Sequence, residues 1–198
     1  IETNCFYSTS GDGHFGIGSL ESLSLIKLKK LCTEKVRNID FNYHTSEIAV
    51  ASGDGRIRIF DLFSLEEKRM IDAHGLSANT VRFSPNGSLL LSGGRDAHLN
   101  IWETKNYSKT NNIPAHNYAI YDIVFSPDGK LFATASRDKT IKIWDATTFE
   151  MLIRINKEKH EGHLNSVNKL IWSAYNNYLI STGDDRAIII WKVSEIGE

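Results

Sequence analysis

Cysteine is scarce in this chain of 198 residues, which carries Cys5 and Cys32 and no others. Two cysteines form neither a disulfide framework nor a metal-ligand cluster, and their scarcity predicts a reducing, cytoplasmic compartment. Long apolar runs are also lacking, since none approaches the roughly 18 residues that a membrane span needs. The first ten residues lack the basic and apolar regions of a secretory signal. The sequence therefore predicts no membrane partner.

An excess of either charge is lacking as well. The net charge is −1, with 23 basic and 24 acidic residues, so there is no general attraction to nucleic acid. Basic stripes with aromatic platforms are missing too. The chain has three prolines, whereas its 14 glycines suit a fold with many tight turns. We therefore predict a turn-rich globular fold without a nucleic-acid partner.

One hairpin pattern recurs five times along the chain. In its best copy, the strand-like segments 131–136 and 140–144 flank a turn centred on Asp138. The second segment alternates in the two-residue period of a strand. Ile143 and Trp144 put large apolar groups on its opposite faces, so we expect this strand to be covered from both sides.

The five copies are regularly spaced. The positions that end them are separated by 42, 42, 42 and 47 residues. These positions are Gly18, Phe60, Trp102, Trp144 and Trp191. An aspartate stands six positions before each of them, at Asp12, Asp54, Asp96, Asp138 and Asp185. A period of about 40–45 residues that holds four short strands is typical of a propeller blade.

A histidine marks the same repeat. His74, His116 and His163 each lie 28 positions before a terminal tryptophan, whereas Cys32 takes this place before Phe60. An apolar, strand-like segment follows each marker, at residues 36–41, 80–85, 122–127 and 169–174. No long segment with the helical period of 3.6 residues interrupts the pattern. We therefore predict an all-β chain.

These residues resemble the WD-repeat β-propeller family. Trp144-Asp145 is similar to the Trp-Asp dipeptide of that family, and Gly162-His163 to its Gly-His dipeptide. The resemblance covers residues 5–198 and implies four-stranded antiparallel blades stacked around a channel. The chain holds roughly 4.7 periods, so it resembles the C-terminal part of a longer, seven-bladed ring. The implied blades are 32–73, 74–115 and 116–162, preceded by an incomplete blade at 1–31 and followed by 163–198, which lacks an outer strand.

The resemblance also implies a structural role for the repeated polar residues. In this family a histidine, a turn aspartate, a strand hydroxyl and the tryptophan form a hydrogen-bonded tetrad within one blade. The implied tetrads are His74, Ser92, Asp96 and Trp102; His116, Ser136, Asp138 and Trp144; and His163, Ser181, Asp185 and Trp191. Thr134 is the alternative to Ser136, and Thr182 is the alternative to Ser181.

The blade that carries Cys32 and Phe60 lacks two members of the tetrad. We therefore expect this blade to depend on apolar packing.

Three other interpretations compete with a structural role. Serine, histidine and aspartate suggest a hydrolytic triad, residues 11–16 match the G-x-G-x-x-G pattern of dinucleotide sites, and His160 with His163 suggests a metal pair. However, the first three residue types recur at blade spacing, no helix follows residue 16, and no third ligand lies near His160. We therefore predict no catalytic residue, no cofactor and no metal.

Binding residues are expected on one face of the propeller, the top face. By analogy with the family, this face carries the loop before each inner strand and the turn with the aspartate. The candidates there are Arg37, Asn79, Arg95, Tyr118, Tyr121, Arg137 and Asn168. Tyrosine and arginine are favoured at binding hot spots, so these residues indicate either a site for a peptide, for example an acidic one, or a solvated rim. The polar insertion 156–162 is either a specificity loop on that face or a tolerated insertion.

The leading functional prediction is a non-catalytic scaffold for protein–protein interaction that binds a peptide or protein on the top face. A regulatory or sensor segment of a larger signalling protein is the first alternative. A propeller enzyme with a site in the channel is the second. An open stack of blades exposes apolar faces and strand edges. We therefore also expect the chain to self-associate, or to complete its ring with another chain or a missing segment.

Overall fold

The computed structural model describes residues 4–193. In this range the chain forms eighteen strands and one short helix, α1 (Lys157–His160). The strands are β1 (Cys5–Thr9), β2 (His14–Ser19), β3 (Leu25–Lys30), β4 (Val36–Asn42), β5 (Glu47–Ser52), β6 (Arg56–Asp61), β7 (Glu67–Asp72), β8 (Ala78–Phe83), β9 (Leu89–Gly94), β10 (His98–Glu103), β11 (Ser108–Pro114), β12 (Ile120–Phe125), β13 (Leu131–Ser136), β14 (Ile141–Asp145), β15 (Met151–Ile155), β16 (Val167–Trp172), β17 (Tyr178–Gly183) and β18 (Ile188–Lys192). The prediction of an all-β chain is confirmed.

The strands form five antiparallel sheets, each made of consecutive strands. Three sheets have four strands, β4–β7, β8–β11 and β12–β15, and two have three, β1–β3 and β16–β18. The first strand of one four-stranded sheet contacts the first strand of the next sheet, so that β4 meets β8, β8 meets β12, and β12 meets β16. The sheets are therefore stacked as propeller blades, which confirms the predicted architecture. The number of blades in a closed ring stays a prediction.

Each predicted blade range contains one of these sheets. The ranges 32–73, 74–115 and 116–162 hold the four-stranded sheets, and 1–31 and 163–198 hold the three-stranded ones. Residues 1–3 and 194–198 of these ranges lie outside the described part of the chain, and the blade boundaries stay a prediction. Within residues 4–193, no helix is long and apolar enough to cross a membrane.

Glycine is required in the turn between β5 and β6. Gly55 has a φ of 82°, in the left-handed region that side chains disfavour. A Cβ atom at this position would overlap the backbone oxygen of His74. Gly13, with a φ of 91°, meets the Cys32 backbone oxygen in the same way. These glycines therefore let the loop before the next inner strand approach the turn closely.

The apolar core lies between consecutive sheets. Four buried clusters each join two neighbouring sheets. In one of them, Ile57 and Ile59 of β6 share a cluster with Trp102 of the next sheet. In β14, Ile143 belongs to the cluster with the following sheet and Trp144 to the cluster with the preceding one. Each blade therefore buries apolar surface that would be exposed to water in isolation.

Polar side chains also join consecutive inner strands. Asp40 of β4 accepts the Phe83 amide of β8 at 2.7 Å, and Asn38 of β4 accepts another β8 amide at 3.1 Å. Asp122 of β12 accepts the Leu170 amide of β16 at 3.0 Å. In each bond the side chain belongs to the earlier sheet and the backbone group to the later one. These bonds satisfy amides of the inner strands that face the neighbouring blade.

Candidate functional site

In the sheet β8–β11, His74 connects a carboxylate and a hydroxyl through its two ring nitrogens. Its Nδ1 lies 3.0 Å from Asp96 Oδ1, and its Nε2 lies 3.0 Å from Ser92 Oγ. Trp102 Nε1 donates to the same serine oxygen at 3.1 Å. Because a carboxylate only accepts, Nδ1 carries the proton, and the serine hydroxyl donates to Nε2. The four side chains form one continuous hydrogen-bonded set.

The sheet β16–β18 contains the same set. His163 Nδ1 lies 2.9 Å from Asp185 Oδ1, and its Nε2 lies 2.8 Å from Ser181 Oγ. Trp191 Nε1 donates to this serine at 2.9 Å. The hydroxyl in the set is therefore that of Ser181 and not that of Thr182. Both nitrogens of His163 are occupied, which leaves neither available as a metal ligand.

The third set lies in the sheet β12–β15. His116 Nδ1 is 2.9 Å from Asp138 Oδ2, and its Nε2 is 2.7 Å from Thr134 Oγ1. Trp144 Nε1 donates to Thr134 at 3.0 Å. A threonine here replaces the serine of the other two sets, because either hydroxyl can donate and accept at once.

The prediction that Ser136 supplies this hydroxyl is wrong. The Ser136 hydroxyl donates to the backbone oxygen of Tyr118 at 3.1 Å. The physical reason is register: Thr134 stands ten positions before its tryptophan, as Ser92 and Ser181 do before theirs. Residues at the same offset take the same place in antiparallel hairpins of the same length.

The three sets have the Asp-His-hydroxyl order of a hydrolytic triad, but their hydroxyls are inaccessible. Ser92, Thr134 and Ser181 are fully buried. Each already accepts an indole N–H and binds an imidazole. A catalytic nucleophile must reach the substrate, so these groups serve to hold the strands of each sheet together.

The His116 set combines a neutral imidazole with an ionised carboxylate. Burial lowers the pKa of His116, although Asp138 alone would raise it. Burial would raise the pKa of Asp138, but hydrogen bonds from His116, from the Thr140 hydroxyl at 2.6 Å and from the Asn117 amide at 3.2 Å hold that pKa well below its ordinary value. Both groups therefore bind a proton less readily in the folded protein than in the unfolded chain.

We expect the free energy of unfolding to decrease when the pH is lowered from about 7 to about 5. An unfolded histidine takes up a proton near its ordinary pKa of 6.5, whereas buried His116 stays neutral, so acid favours the unfolded state. This contribution is fully present above that pKa and is lost below it, by up to about 1.4 kcal/mol per pH unit. Asp138 adds a further loss below about pH 4. Urea denaturation at a series of pH values measures both effects.

The control for this experiment compares two histidines. The variant His116→Gln removes the buried titrating group and is expected to flatten the pH dependence between about pH 7 and pH 5. The variant His160→Gln changes an exposed histidine and should leave the slope unchanged. An unaltered slope in His116→Gln would contradict a buried, neutral imidazole.

In the sheet β4–β7, an arginine stands in for the missing histidine. Arg58 of β6 is 4% exposed. Its Nη2 donates to Asp54 Oδ2 at 2.6 Å and its Nη1 donates to Ser52 Oγ at 2.6 Å. The Ser52 hydroxyl in turn donates to Asp54 at 2.7 Å. This blade packs through apolar residues, as expected, but the expectation omitted the ion pair of Arg58 and Asp54, which takes the place of the tetrad.

The guanidinium reaches the aspartate from an adjacent strand. Cys32, in the histidine position, donates instead to the Glu34 backbone oxygen at 3.1 Å. Burial would raise the pKa of Asp54, but bonds from Arg58, Ser52 and a backbone amide hold it below its ordinary value. The aspartate is thus ionised beside a permanently charged partner.

A cavity of about 540 Å³ lies where the first residues of the inner strands β4, β8, β12 and β16 come together, and we call it the channel mouth. Four of the predicted binding residues line this channel mouth, one from each of four consecutive sheets: Arg37, Asn79, Tyr121 and Asn168. Three charged residues that the sequence did not single out line it as well: Lys35, Lys169 and Asp184.

The four predicted residues differ in how freely their side chains can contact a partner. Asn79 is buried and donates to a backbone oxygen of β12 at 2.9 Å. Asn168 donates to Asp184 at 2.6 Å. Tyr121 is half-buried and Arg37 is exposed. Arg37 and Tyr121 are therefore the two most accessible members of this group.

The other three candidates do not line the channel mouth: Tyr118, Arg137 and Arg95. Tyr118 is 59% exposed, and the Arg137 guanidinium carbon lies 5.9 Å from the centre of its ring. This is the distance of a cation–π pair. Arg95 lines a second cavity of about 560 Å³, together with Lys35 and Arg37.

The insertion 156–162 contains the helix α1. Asn156 caps this helix by accepting the Lys159 amide at 3.1 Å, and Glu161 ends it with a left-handed φ of 55°. Residues 157–161 are exposed. A role of this segment in specificity stays a prediction.

Two comparisons with known proteins bear on this geometry. The family model described as "WD domain, G-beta repeat" matches residues 27–61, 65–103, 107–145 and 156–192. A chain in the crystal structure of the mitotic checkpoint complex has a similar fold, with a TM-score of 0.84 and 22% sequence identity over 96% of this chain. The similarity covers 58% of that chain, so the present chain spans less than two thirds of its length. No curated protein sequence matches the chain.

Proposed function

The chain belongs to the WD-repeat family, and on that premise we propose that it is a non-catalytic scaffold that binds a peptide or protein partner on its top face. The observation that carries this proposal is the channel mouth, where residues at equivalent positions of four consecutive inner strands line one cavity. Ligand sites are commonly concave and hold a small number of placed polar groups. A partner bound there contacts several blades at once.

The rim beside the channel mouth supports the same proposal. Tyr118 and Arg137 form an exposed pair, and Tyr121 lines the mouth itself. Tyrosine and arginine combine a large contact area with directional polar groups, which is why they are enriched at interaction hot spots.

A non-catalytic role is supported by the positions of the reactive side chains. The hydroxyl and imidazole groups that resemble a catalytic triad are buried and hydrogen-bonded within single sheets. The proposed partner is a protein rather than nucleic acid or a membrane, in keeping with a net charge of −1. The proposed compartment is the cytoplasm, which suits the low cysteine content.

A further contact is proposed for the last described sheet. Ile188 and Ile190 of β18 are 71% and 62% exposed, whereas their counterparts in β14, Ile141 and Ile143, are buried against the next blade. This contrast supports packing of this face against another copy of the chain, another chain or a further segment of the same protein.

A triple variant, Tyr118→Ala/Tyr121→Ala/Arg137→Ala, tests the proposed binding face. We expect it to lose partners that the wild-type chain captures from an extract, because truncating a hot-spot residue costs about 2 kcal/mol or more of binding free energy. Affinity capture followed by mass spectrometry gives the two partner lists.

The matched control is Tyr43→Ala/Tyr175→Ala/Lys105→Ala, which removes two exposed tyrosines and one exposed cation from turns at the opposite ends of the strands. It should retain the wild-type partners. Equal lists for the wild type and the top-face variant would show that the partners bind elsewhere.

A further inference from the structure

The second top-face cavity extends the channel mouth into a groove. Its volume is about 560 Å³, and it shares Gly11, Lys35 and Arg37 with the channel mouth. From these residues it runs between the β5–β6 turn and the loop before β8, as far as Arg95. We call this cavity the top groove. Arg37 stands where the top groove meets the channel mouth.

The top groove carries an excess of positive charge, although the chain as a whole has a net charge of −1. Its cations are Lys35, Arg37 and Arg95, which are exposed. Within residues 4–193, none of the three forms an ion pair with a carboxylate. The carboxylate of Asp54 also lines the groove but is already paired with Arg58 at 2.6 Å. Glu34 is therefore the one remaining carboxylate in the lining to offset three cations.

The floor and wall of the top groove leave room for a polypeptide. Gly11, Gly53 and Gly75 line it without side chains. A Cβ atom added at Gly11 or Gly75 would meet no atom within 4 Å, so there is open space above both. Leu76, which is 52% exposed, adds an apolar surface beside the cations.

We propose that the top groove binds an extended acidic segment of a partner protein. Its aspartate or glutamate carboxylates pair with Lys35, Arg37 and Arg95, and an aliphatic side chain next to them packs on Leu76. Arginine holds carboxylates through paired, charge-assisted hydrogen bonds, and complementary charge also speeds the encounter of the partners. This inference rests on the proposed function, because it specifies the chemistry of the segment that reaches the channel mouth.

The first test measures the fluorescence anisotropy of labelled peptides mixed with the 198-residue chain. In the peptides, leucine alternates with glutamate, glutamine or lysine. The glutamate peptide is expected to bind at least about tenfold more tightly than the glutamine peptide, and the lysine peptide not at all. The affinity of the glutamate peptide should fall when salt is raised from about 0.01 M to about 1 M, because the Debye length shortens from about 30 Å to about 3 Å. Equal affinities for the glutamate and glutamine peptides would overturn the proposal.

The second test locates the bound peptide with two variants. Charge reversal in Lys35→Glu/Arg37→Glu/Arg95→Glu should weaken binding of the glutamate peptide at least about tenfold. Gly75→Phe places a ring into the open space of the groove and should weaken binding to a similar extent. The matched control, Lys27→Glu/Lys105→Glu/Lys130→Glu, reverses three exposed cations outside the groove and should bind within about twofold of the wild type. Circular dichroism checks that each variant is folded.

The outcomes separate this inference from the proposed function. If the glutamate peptide binds both groove variants as tightly as the wild type, the groove is not its site, whereas the partner lists of the Tyr118 triple variant still decide the top-face role. If a phosphoserine peptide binds and the glutamate peptide does not, carboxylate recognition is overturned. Loss of glutamate-peptide binding in both groove variants, with the control unchanged, supports the assignment.

Discussion

Replacing Arg58 by alanine is expected to lower the free energy of unfolding by about 3–5 kcal/mol. The change removes a buried guanidinium and with it two hydrogen bonds of 2.6 Å, one to Asp54 and one to Ser52. A carboxylate that loses its partner inside a protein keeps the cost of its desolvation and loses the attraction that offset it. Urea denaturation followed by tryptophan fluorescence measures the loss.

Arg56→Ala provides the matched control two residues away. Arg56 also pairs with an aspartate, Asp72, at 2.9 Å, but both side chains are largely exposed. Exposed ion pairs contribute about 0–1 kcal/mol, so we expect little change. Equal effects of the two substitutions would contradict a structural role for the buried pair.

Replacing Trp144 by alanine should cost about 3–5 kcal/mol as well. The indole is 4% exposed, stacks on Phe132 with ring centres 5.9 Å apart, and donates to Thr134 at 3.0 Å. Its removal leaves a cavity between two blades and takes one hydrogen bond from the His116 set. Both blades that border the cavity should therefore become less stable.

Trp144→Phe separates packing from hydrogen bonding. Phenylalanine retains a ring that can stack on Phe132 but lacks the indole N–H, so we expect a much smaller loss, near the roughly 1 kcal/mol of one hydrogen bond plus the lost ring volume. If the phenylalanine and alanine variants were equally destabilised, the hydrogen bond and not the packing would account for the effect of Trp144.

The sequence predicts the blades well because each blade repeats the same signals at a fixed distance. The spacing of 42 residues and the aspartate six positions before each end recur in hairpins that the structure forms. The same regularity indicates that Thr134, and not Ser136, supplies the hydroxyl that binds His116 and Trp144. Ser92 and Ser181 both stand ten positions before a tryptophan, and Thr134 is the residue at that offset. A constant offset is thus a better guide than residue type alone.

Arg58 is harder to predict because its role is filled from another strand. The histidine position holds Cys32, yet the turn aspartate Asp54 is retained. A half-buried aspartate requires hydrogen-bond donors, and this requirement is the one signal in the sequence. Two arginines lie close by, Arg56 and Arg58, and periodicity alone does not decide between them. The choice depends on which side chain points toward Asp54, a property of the folded hairpin.

The channel mouth was predictable in part. The residue five positions after each marker lies at the mouth in four sheets, because equivalent positions converge on the axis of a propeller. Arg37 and Arg95 of the top groove were among the predicted binding residues, but their proximity to Lys35 was not predictable, since Lys35 and Arg95 belong to different blades and line one cavity only through stacking. Whether Asp54 contributes charge to the groove depends on its bond to Arg58, which no local pattern reveals.

In the bonds that Asp40 and Asp122 form between inner strands, the side-chain acceptor is synthesised before the backbone amide that it binds. Asp40 leaves the ribosome 43 residues before the Phe83 amide that it accepts, an interval of about 2–9 s at ordinary rates of synthesis. Asp122 likewise precedes the Leu170 amide by 48 residues. The acceptors on β4 and β12 are therefore already synthesised when the strands that bind them, β8 and β16, emerge.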